Sequence, residues 1–149
     1  PYTTLFRSSL QWYIECDPSM HYFNLLRHAP DTHDALRRMA VFDMVGNNTD
    51  RKGGHVLQSA DGHVWGIDHG LCFAAEYKLR TVIWDFAGEA VPDDVLDDLA
   101  PLADEVPAEL ADLLDVREVR ALRRRVQRLL DSRMLPLDTT GYAYPWPLI

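Results

Sequence analysis

The reversal at Asp61-Gly62 constrains this fold most, because it joins two short apolar runs into one hairpin. Residues 55–58 and 63–67 flank the tetrapeptide Ser-Ala-Asp-Gly, and Asp-Gly between alternating runs is a strong hairpin signal. The hairpin would bring the loop that precedes its first strand close to the end of its second strand. We therefore expect Asp50 and Asp68 to become neighbours, although eighteen positions separate them in the sequence.

The residues gathered by this hairpin are those that phosphoryl transfer requires. Such a reaction needs a carboxylate near the attacking hydroxyl, a cation for the transferred phosphate, and ligands for Mg²⁺. Protein kinases place a catalytic Asp five residues before a metal-binding Asn, and a second metal-binding Asp opens a later Asp-Phe-Gly. Here Asp50, His55 and Asp68-His69-Gly70 follow in the same order, with Lys52 as the cation. The pattern predicts a phosphotransfer site.

Composition narrows the class of protein. At 149 residues and 47% apolar content, with no long uncharged apolar run, the chain suits one globular domain without a transmembrane segment. The net charge of -8 argues against general nucleic-acid binding. Cys16 and Cys72 are too few for a disulfide framework, so we predict a cytoplasmic protein. The excess of arginine over lysine is typical of GC-rich genomes and suggests a bacterial source.

We expect three regions along the chain. Residues 1–8 resemble the translation of a sequencing adapter and are predicted to be non-native. Residues 9–33 are predicted to hold a strand at 10–15 and a linker, left from an amino-terminal lobe that is mostly missing. Residues 34–149 are predicted to form a mainly helical α+β lobe in which the hairpin carries the catalytic and metal residues.

Within that lobe the pattern predicts a helix that Asp34 caps and that runs to about Gly46, and further helices after Pro92. The last of these is a long helix that Asp115 caps, with Glu118 completing a capping box. Residues 71–88 are compatible with either helix or extended loop. We interpret residues 123–125, three consecutive arginines, as a solvated helix face. The proline-rich tail at 142–147 is expected to dock its aromatic side chains on the body of the domain.

From Leu36 onward the chain resembles actinobacterial proteins of the phosphatidylinositol 3-/4-kinase-like group, atypical members of the protein-kinase-like superfamily. The resemblance is carried by five segments: Arg-Met-Ala-Val-Phe-Asp at 38–43, Asn-Asn-Thr-Asp-Arg-Lys-Gly-Gly-His at 47–55, Ile-Asp-His-Gly at 67–70, Lys-Leu-Arg-Thr-Val at 78–82, and Pro-Trp-Pro at 145–147. The Asp-Arg-Lys-Gly-Gly-His block is the most specific of them.

The resemblance implies a role for each matching residue. Asp50 would be the catalytic aspartate, Lys52 would contact the transferred phosphate of ATP, and Asp68 would be the principal Mg²⁺ ligand. His55 stands where the superfamily usually has Asn, and an imidazole ligand suits Mn²⁺ better than Mg²⁺. The adenine would lie near the segment Tyr13, Ile14 and Glu15.

Two other functions remain open. One is a metal-dependent phosphohydrolase that uses His55, Asp68, His69 and His63; the other is a non-catalytic, pseudokinase-like binding module. No Gly-rich phosphate loop or strand lysine precedes Asp50, so we expect the isolated fragment to be inactive. The hydroxyl acceptor, whether phosphoinositide, protein or metabolite, is not specified by these residues.

Overall fold

The structure is a computed structural model that describes residues 11–139 and 141–149. The predicted adapter at 1–8 and the first residue of the predicted strand lie outside these ranges. The described residues form five α-helices and one two-stranded antiparallel sheet, which confirms the α+β prediction. In chain order the elements are α1 (Tyr22–His28), α2 (His33–Gly46), β1 (Val56–Gln58), β2 (Val64–Gly66), α3 (Asp93–Asp104), α4 (Ala108–Ala111) and α5 (Val116–Ser132).

None of these described helices is long and apolar enough to cross a membrane, as the sequence predicts. The cytoplasmic location stays a prediction.

Helix α2 leads directly into the predicted site. It ends at Gly46 and is capped by Asn47, whose backbone is left-handed with φ 54°, a conformation that Asn tolerates better than most residues. Asp34 was predicted to cap this helix, but it lies within the first turn and its carboxylate contacts Arg38 Nε at 3.2 Å. The cap position belongs to Thr32, which makes no capping hydrogen bond through its side chain.

Helices α3 and α5 pack against each other and form much of the core. The predicted capping box at the start of α5 is present. Asp115 Oδ1 accepts hydrogen bonds from the backbone N–H groups of Arg117 and Glu118 at 2.7 and 2.9 Å, and Glu118 Oε2 accepts from Asp115 N at 2.8 Å. These bonds satisfy amide groups that lack partners within the helix.

The predicted hairpin is confirmed. Strands β1 and β2 are antiparallel, with Val56 opposite Gly66. In the turn, Asp61 Oδ1 accepts hydrogen bonds from Ser59 Oγ at 2.5 Å and from His63 N at 3.1 Å, and Gly62 has φ 87°. Asp and Gly therefore build this turn by different means: one through side-chain acceptance, the other through a backbone that other residues rarely adopt.

The predicted strand at 10–15 is wrong for the part that the structure describes. Residues 11–15 have no regular secondary structure, and only Cys16 forms a bridge, with Ser59 beyond the end of β1. A strand needs a continuous row of backbone partners. Within the described ranges the hairpin offers this segment only one partner, Ser59, next to the short β1.

One other segment differs from expectation: residues 22–28, which carried no helix prediction, form α1. Residues 71–88, for which helix and extended loop were both open, hold no helix and run as loops joined to Arg51 by a parallel bridge at Thr81. The predicted docking of the tail through its aromatics is wrong, since Trp146 is 86% exposed. The tail is anchored instead by its backbone: Leu148 O accepts a hydrogen bond from Gly53 N at 2.7 Å.

Candidate functional site

A buried ion pair lies beneath the predicted catalytic loop, residues 47–55. Arg51 and Asp43 are both fully buried. Arg51 donates from Nε to both carboxylate oxygens of Asp43 at 3.1 Å, and from Nη2 to Oδ1 at 3.0 Å. Because removing either partner would leave an uncompensated charge in the core, the pair fixes the loop against helix α2.

The remaining acceptor capacity of Asp43 is also used. Asn48 Nδ2 and Thr81 Oγ1 donate to the carboxylate, each at 2.9 Å. The Thr81 hydroxyl in turn accepts from Ile83 N at 3.0 Å. A buried carboxylate is tolerated when its hydrogen bonds are satisfied in this way. The network joins α2, the loop and the 81–83 segment.

The other end of Arg51 holds the hairpin. Its Nη1 donates to the backbone oxygens of Ile67 at 2.9 Å and His55 at 3.3 Å. Ile67 N also donates to His55 O at 3.0 Å. Arg51 therefore fixes both segments that carry the predicted site residues, one just before β1 and the other just before Asp68.

Asp50 contacts Asn48, which belongs to this network, and Lys52 of the same loop. Its backbone N–H donates to Asn48 Oδ1 at 3.1 Å, and its carboxylate Oδ2 lies 3.3 Å from Lys52 Nζ. Both side chains are partly accessible, at 32% and 23% exposure. The sequence predicted that this acid and this cation act together, and the structure brings them into contact.

The hairpin also brings Asp68 to His55. His55 Nε2 lies 3.5 Å from Asp68 Oδ2, longer than a hydrogen bond. Asp68 has φ 56°, and its side chain is 63% exposed. Such a left-handed backbone is uncommon for residues other than Gly, and Asn and Asp accept it best. The turn directs a carboxylate into accessible space.

The hydrogen bond at the second ring nitrogen of His55 indicates which tautomer the neutral ring adopts. His55 Nδ1 accepts a long hydrogen bond, 3.4 Å, from the backbone N–H of Lys52. An acceptor nitrogen carries no hydrogen, so the neutral ring has its proton on Nε2, the atom that faces Asp68. Histidines that bind metals usually donate from the nitrogen that does not bind. This tautomer places the Nε2 hydrogen on the side of Asp68 and disfavours ligation of a metal through Nε2.

A groove of about 720 Å³ adjoins Asp68. Of the three residues predicted to lie near adenine, Ile14 lines this groove, together with Trp12, Trp65 and Asp68. Tyr13 and Glu15 do not line it, and Tyr13 is 82% exposed. The structure thus brings one of the three predicted adenine residues to the same groove as the predicted metal ligand.

The histidines of the phosphohydrolase alternative do not converge. The His69 ring packs edge-on against Phe42 with centroids 4.8 Å apart, and burial, followed by the charge of Arg51, lowers the pKa of His69. His63 packs against Trp65 at 4.3 Å. Among the described residues no three His, Cys, Asp or Glu side chains are grouped so that they could hold a metal.

Sequence reasoning missed the residues that position the site. Asp43 lies among buried α2 residues, at Val41, Met44 and Val45, and an acid within such a stretch indicates a buried partner. Arg125 was also misassigned to a solvated face: it is half-buried, and its Nε donates to Val45 O at 2.7 Å. Charged residues within apolar patterns were the available signal.

Comparison with known proteins gives a relative but no activity. The chain is 50% identical over 127 residues to "Protein Rv2133c" of Mycobacterium tuberculosis, across 83% of this chain and 45% of that protein. The chain therefore spans less than half the length of this relative. No protein-family model matches the chain, and no solved structure matches it.

Proposed function

We propose that this chain is the catalytic, carboxy-terminal lobe of an atypical kinase of the phosphatidylinositol 3-/4-kinase-like group, which transfers the γ-phosphoryl group of ATP to a hydroxyl. The observation that carries the proposal is the reach of Arg51. This one buried side chain is bonded to the backbone at both His55 and Ile67. It thereby supports the four predicted site residues, at positions 50, 52, 55 and 68, as one unit.

Asp50 and Lys52 would act on the reacting groups. A carboxylate in this position accepts a hydrogen bond from the acceptor hydroxyl and orients it for in-line attack. Lys52, 3.3 Å from that carboxylate, would place a positive charge where negative charge develops on the transferred group. Both side chains are accessible enough to meet a ligand without rearrangement of the core.

Asp68 fits the metal that the proposal requires. Mg²⁺ prefers hard oxygen ligands, retains several waters, and is commonly held by one or two carboxylates together with substrate phosphates. A single exposed carboxylate beside a groove matches that requirement without a cluster of three protein ligands. Bound with ATP, the ion would neutralise the phosphate oxygens. His55 would orient Asp68, because ligation through Nε2 would require the other tautomer and the loss of its bond from Lys52 N.

The proposed kinase would include an amino-terminal lobe that covers the exposed aromatic side chains of Trp12 and Tyr13. Trp12 and Tyr13 are 85% and 82% exposed, and neighbouring exposed aromatics often mark a contact surface. A kinase fold holds its nucleotide between two lobes, so a second lobe over Trp12 would close the groove beside Asp68. This assignment stays part of the proposal.

Binding of the manganese complex of ATP tests the metal role. In the complete gene product, we expect Asp68→Asn to weaken binding of Mn²⁺·ATP at least tenfold, measured by electron paramagnetic resonance of Mn²⁺. Asp98→Asn, which makes the same change at an exposed position on α3, is the matched control. Equal Mn²⁺·ATP binding by wild type and Asp68→Asn would contradict the proposal.

Turnover tests the role of Asp50. In the complete gene product, Asp50→Asn should lower kcat by about 10²–10⁴, because the acceptor loses its general base, while Mn²⁺·ATP binding is retained. An unchanged kcat would overturn the assignment. Wild-type protein that binds Mn²⁺·ATP and transfers no phosphate would favour the non-catalytic module. Phosphoester hydrolysis without nucleotide would favour the phosphohydrolase.

A further inference from the structure

A second cavity, of about 480 Å³, lies apart from the predicted site residues. This size lies within the range of small-molecule sites. Its floor is buried and apolar, and its rim includes the exposed side chains of Met134 and Leu137. The floor is formed by Met44, Val45, Leu129 and Leu135.

Arg125 brings an incompletely paired charge to this cavity. Its Nε donates to Val45 O at 2.7 Å and its Nη1 to Ala74 O at 3.2 Å. The third nitrogen, Nη2, is buried and has no hydrogen-bond partner among the residues that the structure describes. Leaving such a donor unpaired is unfavourable, and more so when the group is charged. Burial lowers the pKa of Arg125, although a guanidinium stays charged at any physiological pH.

We propose that this cavity binds an amphipathic monocarboxylate, with its carboxylate on Arg125 and an alkyl body against the floor. A carboxylate is the planar acceptor that a guanidinium edge fits best. The apolar floor gains from a hydrocarbon but offers few further donors, which favours a singly charged head. Arg128 also lines the cavity, but it is exposed to solvent, so its screened charge attracts the same head without requiring a second negative charge.

The same arginine adjoins the predicted catalytic loop. Asn47 Nδ2 donates to Ala74 O at 2.9 Å, the oxygen that also accepts from Arg125. Arg125 thus links the end of α2, at Val45 O, to the 74–76 segment, at Ala74 O. A ligand bound to its guanidinium would contact this link. The cavity proposal does not rest on phosphoryl transfer, and either can fail without the other.

Calorimetric titration with three probes tests the ligand class. We expect decanoate, kept below its micelle concentration, to bind at least tenfold more tightly than decanol, which lacks the charge, and than acetate, which lacks the apolar body. Arg125→Met should weaken decanoate binding at least tenfold. Arg124→Met, one residue away and exposed, removes the same charge and should leave binding unchanged.

Methyl resonances locate the ligand without a substitution. The four methionines of the chain can be labelled with ¹³C in their methyl groups. Decanoate should shift the signals of Met44 and Met134, which line the cavity, and leave those of Met20 and Met39 unchanged. Equal affinity for decanoate and decanol, or shifts at Met20 and Met39 alone, would overturn the proposal even if Arg125→Met does not fold.

Discussion

Two ion pairs lie on opposite sides of the loop at residues 47–55, and they differ in their exposure to solvent. Beneath the loop, Asp43 and Arg51 have no exposed surface, and both carboxylate oxygens accept hydrogen bonds. In the accessible part of the loop, Asp50 and Lys52 touch through one contact at 3.3 Å. Asp68 retains more than half of its side-chain exposure.

This difference in burial separates the residues that fix the geometry of the predicted site from the residues that could contact a ligand there. A buried pair is costly to desolvate and costly to break, so it serves geometry more than net stability. Exposed pairs contribute little to folding, which leaves their charges available to a ligand. We therefore expect substitutions below the loop to affect folding and substitutions above it to affect binding.

The largest expected effect tests the buried side. Asp43→Asn leaves Arg51 charged and buried without a counterion, and should lower the free energy of unfolding by about 3–5 kcal/mol. Urea denaturation measures it. Asp34→Asn, on the exposed part of the same helix, should change it by less than about 0.5 kcal/mol. Similar free energies of unfolding for Asp43→Asn and Asp34→Asn would contradict the distinction between buried and exposed charges.

A smaller loss is expected from the same network without a change of charge. Thr81→Val removes the hydroxyl that donates to Asp43 and accepts from Ile83 N. The free energy of unfolding should fall by about 1–3 kcal/mol, because buried polar groups lose their partners. Thr49→Val, at a hydroxyl that bonds Leu71 O near the surface, is the matched control. A larger loss in the free energy of unfolding from Thr49→Val would contradict the importance of the Thr81 hydroxyl to the Asp43 network.

The stability of the protein should also depend on pH through Cys72, whose thiol feels the charge of the buried Asp43. Burial, followed by the charge of Asp43, raises the pKa of Cys72 to about 11. In the unfolded chain the thiol ionises near pH 9, so between pH 9 and 11 the folded state binds more protons and stability falls as pH rises. After allowance for the accessible part of the thiol, the contribution is about 1 kcal/mol. Comparison of wild type with Cys72→Ser in urea at pH 8 and 10.5 measures it; parallel curves would contradict the pKa.

The smallest effect on folding is expected at Asp68. Asp68→Asn keeps a residue that tolerates the left-handed backbone at φ 56°, and should change the free energy of unfolding by less than about 0.5 kcal/mol. The same variant is expected to lose Mn²⁺·ATP binding. A large loss in the free energy of unfolding would instead show that Asp68 has a structural role, like Asp43 and Arg51 beneath the loop.

Part of the site could be predicted because its causes are local. Asp61 and Gly62 define a turn by their own chemistry, so the approach of the loop to Asp68 follows from a few adjacent residues. The capping box of Asp115 and Glu118 is local in the same way. The predicted strand at 10–15 failed because a strand depends on partners that adjacent residues do not supply.

The sequence by itself determined helices α2, α3 and α5, the hairpin, and the approach of His55 to Asp68 across it, because periodicity, caps and turns act over a few residues. Only the tertiary structure decided which charges are buried. Arg51, Lys52 and Arg125 look alike as sequence, yet the first is enclosed with Asp43, the second is accessible beside Asp50, and the third is half-buried at a cavity. The free energy of a charge depends on the solvent and counterions around it, and distant segments supply both.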